Sequence, residues 1–268
     1  MNDATAKPPM FSDLAKRLVS AIVLVAVGMA ALWVGDYAWT ALIIVAAGIM
    51  AWELHSMVPK NPDRADAGLA ISVITAGSSV ILTHALGLVT GMMVPMAGVL
   101  MLGAIDSKRY LRLALGVYYI AMASAGLVAM RDGANGFWIV LWLILIVVAT
   151  DTGGYFAGRM IGGPKLWVKI SPKKTWAGTI GGWVLAVAAS LVFAGWMGWN
   201  LPVLALLALL LSIASQAGDL AESAVKRAVG IKDSSKLIPG HGGLLDRFDA
   251  LMGASMAATI FGLASYVH

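Results

Sequence analysis

Residues 67 to 105 contain no Asp, Glu, Lys or Arg, an interval of 39 positions. As a continuous helix that stretch would be about 58 Å long, nearly twice the roughly 30 Å hydrocarbon core of a bilayer. It must cross, turn and cross back, and the turn is expected around His84–Gly87. No soluble core holds such a run. The remainder of the chain agrees: 60% of its residues are hydrophobic and only 12% charged, about half the charge of an ordinary soluble domain. Soluble and disordered classes are excluded.

A span needs about 20 mostly apolar residues, and on that rule nine segments emerge: 18–34, 38–54, 67–83, 88–105, 112–130, 136–155, 176–197, 201–218 and 250–267. The segment 88–105 is the weakest, because it contains Gly91, Pro95 and Gly98. Lys16 and Arg17 precede the first run, which exceeds a usual signal-peptide core and has no clear cleavage site after it, so it reads as an uncleaved signal anchor. The expected fold is an all-α polytopic membrane protein. A region of about five spans (1–130) would be followed by a catalytic region of about four (131–268), with long polar loops at 156–175 and 219–249.

The basic residues test this arrangement. Threaded through nine spans, 18 of the 19 Lys and Arg fall on one side and only Arg131 on the other. By the positive-inside rule that side is cytoplasmic, so the N-terminus is expected inside, the C-terminus outside, and the protein in the cell (inner) membrane. The net charge of +5 is then topological, and no nucleic acid is needed to explain it. The absence of cysteine removes disulfides, thiolate metal sites and cysteine nucleophiles.

Chemistry should reside in the two long loops. The stretch 218–249 carries Asp219, Glu222, Asp233, Asp246 and Asp249 around a Pro239-Gly240-His241-Gly242-Gly243 turn. Asp219, Glu222, Ser223 and Lys226 share one helix face. They are either a solvated helix end laced by Glu222–Lys226 or, so near the bilayer boundary, the wall of a polar site. Asp246 and Asp249 read either as an N-cap and its capping-box acid or as ligands of a hard cation such as Mg2+. The free amides of the glycine turn would suit an anion.

In the other loop, Asp151 closes an apolar run. Ser171-Pro172-Lys173-Lys174-Thr175-Trp176 then sets two ammonium groups and two hydroxyls before a span. Ser171 or Thr175 caps that helix, or the block clamps phosphates. Gly178, Gly181 and Gly182 with Ala177 read as a helix-packing face. Glu53, His55, Asp36, Asp132 and His84 read as structural or solvated. Taken together, the residues suggest a membrane enzyme that brings a phosphorylated soluble molecule to a lipid.

Ser223-x-x-Lys226-Arg227, Lys232-Asp233, Pro239-Gly240-His241-Gly242-Gly243 and Asp246-Arg247-Phe248-Asp249 closely resemble the signature of the phosphatidate cytidylyltransferase (CDP-diacylglycerol synthase) family. The Ser171–Trp176 block and the Asp151 segment resemble that family too, in the expected order. Ala177 stands where many members carry Glu. The resemblance implies transfer of a cytidylyl group from CTP to phosphatidate, a Mg2+ requirement with Asp219 and Asp246 as metal ligands, a monovalent cation such as K+ beside it, and a homodimer.

Within that reading Lys226 and Asp249 join the catalytic group, and Asp151 and Glu222 are further acidic candidates for the metal. Ser171, Lys173, Lys174, Thr175, Ser223, Arg227, Gly240, His241, Gly242, Gly243 and Arg247 are expected to bind substrate phosphates. The nearest rival is a CTP-dependent polyprenol or phytol kinase. The D-G-x-x-A-R pattern of CDP-alcohol phosphotransferases is missing. A transporter would carry its charges near mid-membrane, whereas these gather at one face.

Overall fold

The computed structural model describes residues 10–57, 65–105 and 107–262. Lys7, Lys60, Arg64 and the expected end of the last span (263–267) lie outside the described residues. Nine helices are present among the described residues: α1 (Met10–Val34), α2 (Asp36–Met57), α3 (Ala65–Leu86), α4 (Leu88–Ile105), α5 (Ser107–Asp132), α6 (Gly136–Met160), α7 (Trp176–Met197), α8 (Leu201–Ala228) and α9 (Leu245–Ile260). Each expected span falls on one of them. Seven, α2 to α8, are long and apolar enough to cross a membrane. The apolar part of α1 and the described part of α9 are shorter, so the expected count of nine is met by helices but not by full-length spans.

The uncharged 67–105 interval turns where expected. Gly87 separates α3 from α4 with φ +90°, a conformation glycine adopts without strain. The doubtful fourth segment is a continuous helix despite Pro95, and its neighbour explains how. Proline lacks the N–H that would bond the carbonyl four residues earlier, here Gly91. Ser79 of α3 donates its hydroxyl to that carbonyl at 2.8 Å. A freed carbonyl met by the adjacent helix is how membrane helices tolerate proline.

Helix α5 is the hub. It packs against α2, α3, α4, α6 and α9, and 72% of its apolar window is buried against 22% for α4. Ala114, Ala121, Ala123, Ser124 and Ala125 on α5 are all buried, and small residues let backbones approach closely where lipid gives helices no hydrophobic reason to associate. The α6–α7 seam is closer still. A Cβ at Gly153 would lie 2.6 Å from the Gly181 carbonyl oxygen, and one at Gly178 would lie 2.7 Å from that of Gly154. The expected glycine packing face on α7 therefore exists, and α6 supplies its matching half.

Two expected loops are partly ordered. Helix α6 continues to Met160, and an antiparallel hairpin, β1 (Lys165–Trp167) with β2 (Ser171–Thr175), fills the rest of 156–175. The all-α expectation thus misses one small sheet. Helix α8 has 28 residues, about 42 Å of helix, which exceeds the roughly 30 Å of hydrocarbon. Its last turns carry Asp219 to Lys226 beyond the apolar stretch, so the connecting loop proper is only 229–244. This loop, the hairpin and the end of α2 form the loop-bearing end of the bundle. At the opposite end Arg131, the lone basic residue expected there, donates to the Leu32 carbonyl at 2.9 Å. It caps the carbonyls that close α1.

Candidate active site

The loop-bearing end brings together α8, α9, the 229–244 loop, the hairpin and, unexpectedly, α2. Lys226, one turn after Glu222, pairs with it and also reaches across to Asp246 Oδ1 at 2.6 Å. The i, i+4 pair expected from sequence exists, but it is buried, not solvated. Asp246 Oδ2 accepts from the Ser234 amide (2.8 Å), the Ser234 hydroxyl (3.0 Å) and the Gly243 amide (2.8 Å). Burial alone would raise the Asp246 carboxyl, but the Lys226 ammonium and the Gly243 and Ser234 amides outweigh it and bring it down to about 2. Asp246 is ionised throughout the physiological range.

This geometry corrects two readings. Helix α9 starts at Leu245, with Leu244 as N-cap and no cap bond from its side chain, so Asp246 lies in the first turn and is not the cap. The glycine turn does gather an amide around an anion, but that anion is the Asp246 carboxylate of the protein itself. Two further turn amides also bond inward: His241 and Gly242 both donate to the Ile238 carbonyl, and the Ile238 amide donates to the Gly242 carbonyl. Gly240 lies at the turn's tip with φ +77°. His241 Nδ1 lies 2.9 Å from Ser20 Oγ, a contact with α1 that nothing in the local sequence signals.

The true cap comes from 191 residues away. Glu53 on α2, wholly buried, accepts from the Leu244 amide at 2.9 Å and the Leu245 amide at 2.7 Å. It also accepts from the Ser235 hydroxyl at 2.6 Å and the Ser234 hydroxyl at 3.2 Å. The reading of Glu53 as structural holds, but its connection to the signature loop was missed, as were Ser234 and Ser235. The available signal was a carboxylate within the apolar end of a span, on the same side as the loops.

A second group lies beside the first. Lys174 of β2 meets Asp219 at 2.5 Å, and Ser223 donates to Asp219 at 3.3 Å. Asp151, Asp219 and Asp249, from three helices, lie within electrostatic reach of one another. Asp249 Oδ1 accepts from the Ala250 amide at 2.7 Å. Asp151, Tyr155, Arg159, Lys173, Lys174 and Thr175 line a cleft of about 440 Å³ between α6, α7 and β2.

The other expected residues are spread around this core. Thr175 is the cap of α7, accepting from the Gly178 amide at 3.1 Å, and Ser171 opens β2 opposite Trp167. Arg227 donates to the Ile231 carbonyl at 3.2 Å. Arg247 is exposed on the first turn of α9.

Among the described residues no three acidic or histidine side chains are gathered tightly enough to hold a metal ion as they stand. The donor chemistry nevertheless fits a hard cation. Asp151, Asp219, Glu222, Asp246 and Asp249 are oxygen donors, and among the described residues Lys174 and Lys226 are the cations that pair with them. Both Glu222 oxygens are buried and accept no aligned hydrogen bond. Several carboxylates sharing two ammonium groups, one carboxylate being buried with no hydrogen bond beyond its ion pair, are what a divalent ion would relieve.

A polytopic helical protein whose acidic and basic groups converge at one end beside a polar cleft has the build of a membrane-embedded enzyme acting on phosphorylated substrates. Residues 15–264 match the cytidylyltransferase family. A phosphatidate cytidylyltransferase of Brucella suis is 40% identical over 259 residues, covering 94% of each chain. One of Staphylococcus haemolyticus is 42% identical over 140 residues, covering 52% of this chain and 53% of its own. One of Staphylococcus aureus is 46% identical over 121 residues, covering 44% and 46%. The chain belongs to the cytidylyltransferase family, and it is a nucleotidyltransferase.

Proposed function

We propose that this enzyme transfers the cytidylyl group of CTP to phosphatidate, giving CDP-diacylglycerol and pyrophosphate. The observation that carries the reading is the Lys226–Asp246 pair, held inside the signature loop and set beside the Lys174–Asp219 pair, in a chain alike over nearly its whole length to a phosphatidate cytidylyltransferase. A phosphate oxygen of phosphatidate attacks the α-phosphorus of CTP, the bond between the α-phosphorus and the bridging oxygen breaks, and pyrophosphate departs. A phosphomonoester loses its second proton near pH 6, so the attacking oxygen is largely deprotonated at neutral pH and needs no strong base. The obstacle is bringing two polyanions together, and catalysis of this kind rests on positioning and electrostatics.

Lys173, Lys174, Arg247 and His241 would neutralise and orient the phosphates. Lys226 would turn from Asp246 toward them as substrate arrives. Asp219 and Asp249, with Asp151 and Glu222 at hand and Asp246 once Lys226 has turned, would hold Mg2+. When bound, Mg2+ would offset charge on the CTP phosphates and on departing pyrophosphate. The one-sided distribution of Lys and Arg supports an active site on the cytoplasmic face of the cell membrane, with the N-terminus inside. The family resemblance supports a homodimer and a second, monovalent cation.

Purified enzyme with α-labelled CTP and phosphatidate tests the reaction. Label should enter the lipid fraction, and γ-labelled CTP should leave that fraction unlabelled. Lipid labelled from the γ position alone would make the protein a lipid kinase.

A further inference from the structure

We infer that Glu53, on α2 and far outside the signature, is a positioning residue for the transfer reaction: it clasps the signature loop from below and fixes the Asp246–Lys226 pair. The inference rests on the activity proposed above. Each Glu53 oxygen accepts one backbone amide and one serine hydroxyl. Oε1 takes Leu244 N and Ser235 Oγ, and Oε2 takes Leu245 N and Ser234 Oγ. The amides are the otherwise unpaired N–H groups opening α9. Ser234 is also the residue whose amide donates to Asp246 Oδ2 and whose single hydroxyl proton is shared between Asp246 Oδ2 and Glu53 Oε2, so Glu53 and Asp246 grip one serine from two sides.

The glycine turn is shaped to this clasp. A Cβ at Gly243 would collide with the Ser234 hydroxyl and come within 2.6 Å of Glu53 Oε1. Gly243 is therefore bare because the Glu53 carboxylate lies against it, and its amide is left to bond Asp246. The order of dependence runs from Glu53 to Ser234 and Gly243, then to Asp246, then to Lys226.

A carboxamide in place of this carboxylate cannot serve, because its NH2 would face an amide N–H where an acceptor is required. Glu53→Gln should leave membrane insertion intact. Amide hydrogen exchange over 233–246 should rise tenfold or more, with the rest of α8 and the α6–α7 seam unchanged. Turnover should fall by about ten- to a hundredfold with the KM for CTP within threefold of wild type, since a misplaced charge pair weakens the transition state more than initial binding. Ser234→Ala should add little to Glu53→Gln if both act through one chain of contacts.

Unchanged exchange in Glu53→Gln, or faster exchange with unchanged turnover, would overturn the inference. So would loosening spread evenly over all helices, which would mean general destabilisation. Should Glu53→Gln fail to insert, Ser235→Ala, which removes the 2.6 Å contact to Glu53 together with the acceptor of the Leu237 amide, should give the same pattern more weakly at the loop amides other than Leu237, and wild-type exchange at those amides would likewise refute it. The exchange measurement needs no activity. A wild-type enzyme that labels no lipid from CTP therefore defeats the reaction assignment and leaves the clasp to be judged separately.

Discussion

The two ends of the helix bundle both carry clustered acids, and they hold them differently. At the loop-bearing end Asp246 and Glu222 are nearly inaccessible and share one ammonium, Lys226, with side-chain exposures of 4%, 8% and 11%. At the opposite end His84 bridges Asp132 at 2.9 Å and Asp36 at 3.4 Å, and Asp36 is 69% exposed. The first group is shielded from water, so removing Lys226 would leave two buried carboxylates uncompensated. The second is open to water, where such pairs contribute little. Shielded ion pairing thus distinguishes the loop-bearing end, where phosphates would arrive, from the more exposed opposite end.

The largest expected break in this contrast is Asp246→Asn. It deprives Lys226 of its cross-loop partner and the Gly243 and Ser234 amides of a charged acceptor. Lipid labelling from CTP should fall about 10³-fold, the scale seen when a preorganised electrostatic contact is lost. The melting temperature in detergent should fall as well, because Asp246 is a buried hub and not the exposed cap that sequence allowed. Turnover within tenfold of wild type would show that the buried pair is merely structural.

A smaller loss is expected for Gly243→Ala. The added methyl must displace Ser234 and Glu53, and a shift of about an ångström at a catalytic group is worth roughly a hundredfold in rate. Equal activity in the two proteins would mean that the loop relaxes freely.

The pH dependence of stability sharpens the comparison further. Asp246 lies at about 2 in the folded protein against an ordinary 3.8, so its contribution is fully present above about pH 4 and is lost as pH falls toward 2. The shift corresponds to about 2 kcal/mol. The melting-temperature gap between wild type and Asp246→Asn should therefore be widest near neutrality and narrow steadily below pH 4. A gap that stays constant down to pH 2 would refute the assignment of that charge.

What could be read in the sequence followed from local physics. The nine helices, the turn at Gly87, the Thr175 cap and the Glu222–Lys226 pair each depend on residues a few positions apart. The Asp246 environment was half legible: its carboxylate and the glycine turn were recognised, but their partners were exchanged, since an amide seeking an anion can be satisfied by substrate or by the protein. Of the Glu53 clasp only the carboxylate in the apolar end of a span was legible, not its partners. Its four bonds span 181 to 192 residues, and no periodicity links the end of the second helix to a loop near the ninth. A hairpin of three- and five-residue strands likewise gives too short an alternation to separate from loop.

The smallest expected effect tests the other side of the contrast. His84→Gln removes a side chain that ties the start of α2 and the end of α5 to the end of α3 through Asp36 and Asp132. Glutamine keeps at most one of these bonds and carries no charge, so the exposed Asp36 contact goes first. A surface pair of this kind contributes about 0 to 1 kcal/mol, a few degrees of melting temperature at most. Turnover should remain within twofold of wild type, because the routes from His84 to the site run along the lengths of α2 and α5, whose packing in the bundle interior does not depend on that contact. A tenfold loss of activity with an unchanged melting temperature would show instead that α2 or α5 transmits strain between the ends, through Glu53 on the first or through the Tyr119 hydroxyl on the second, which donates to the Asp249 carbonyl at 3.4 Å. The acids of the two ends would then be one coupled system rather than two independent ones.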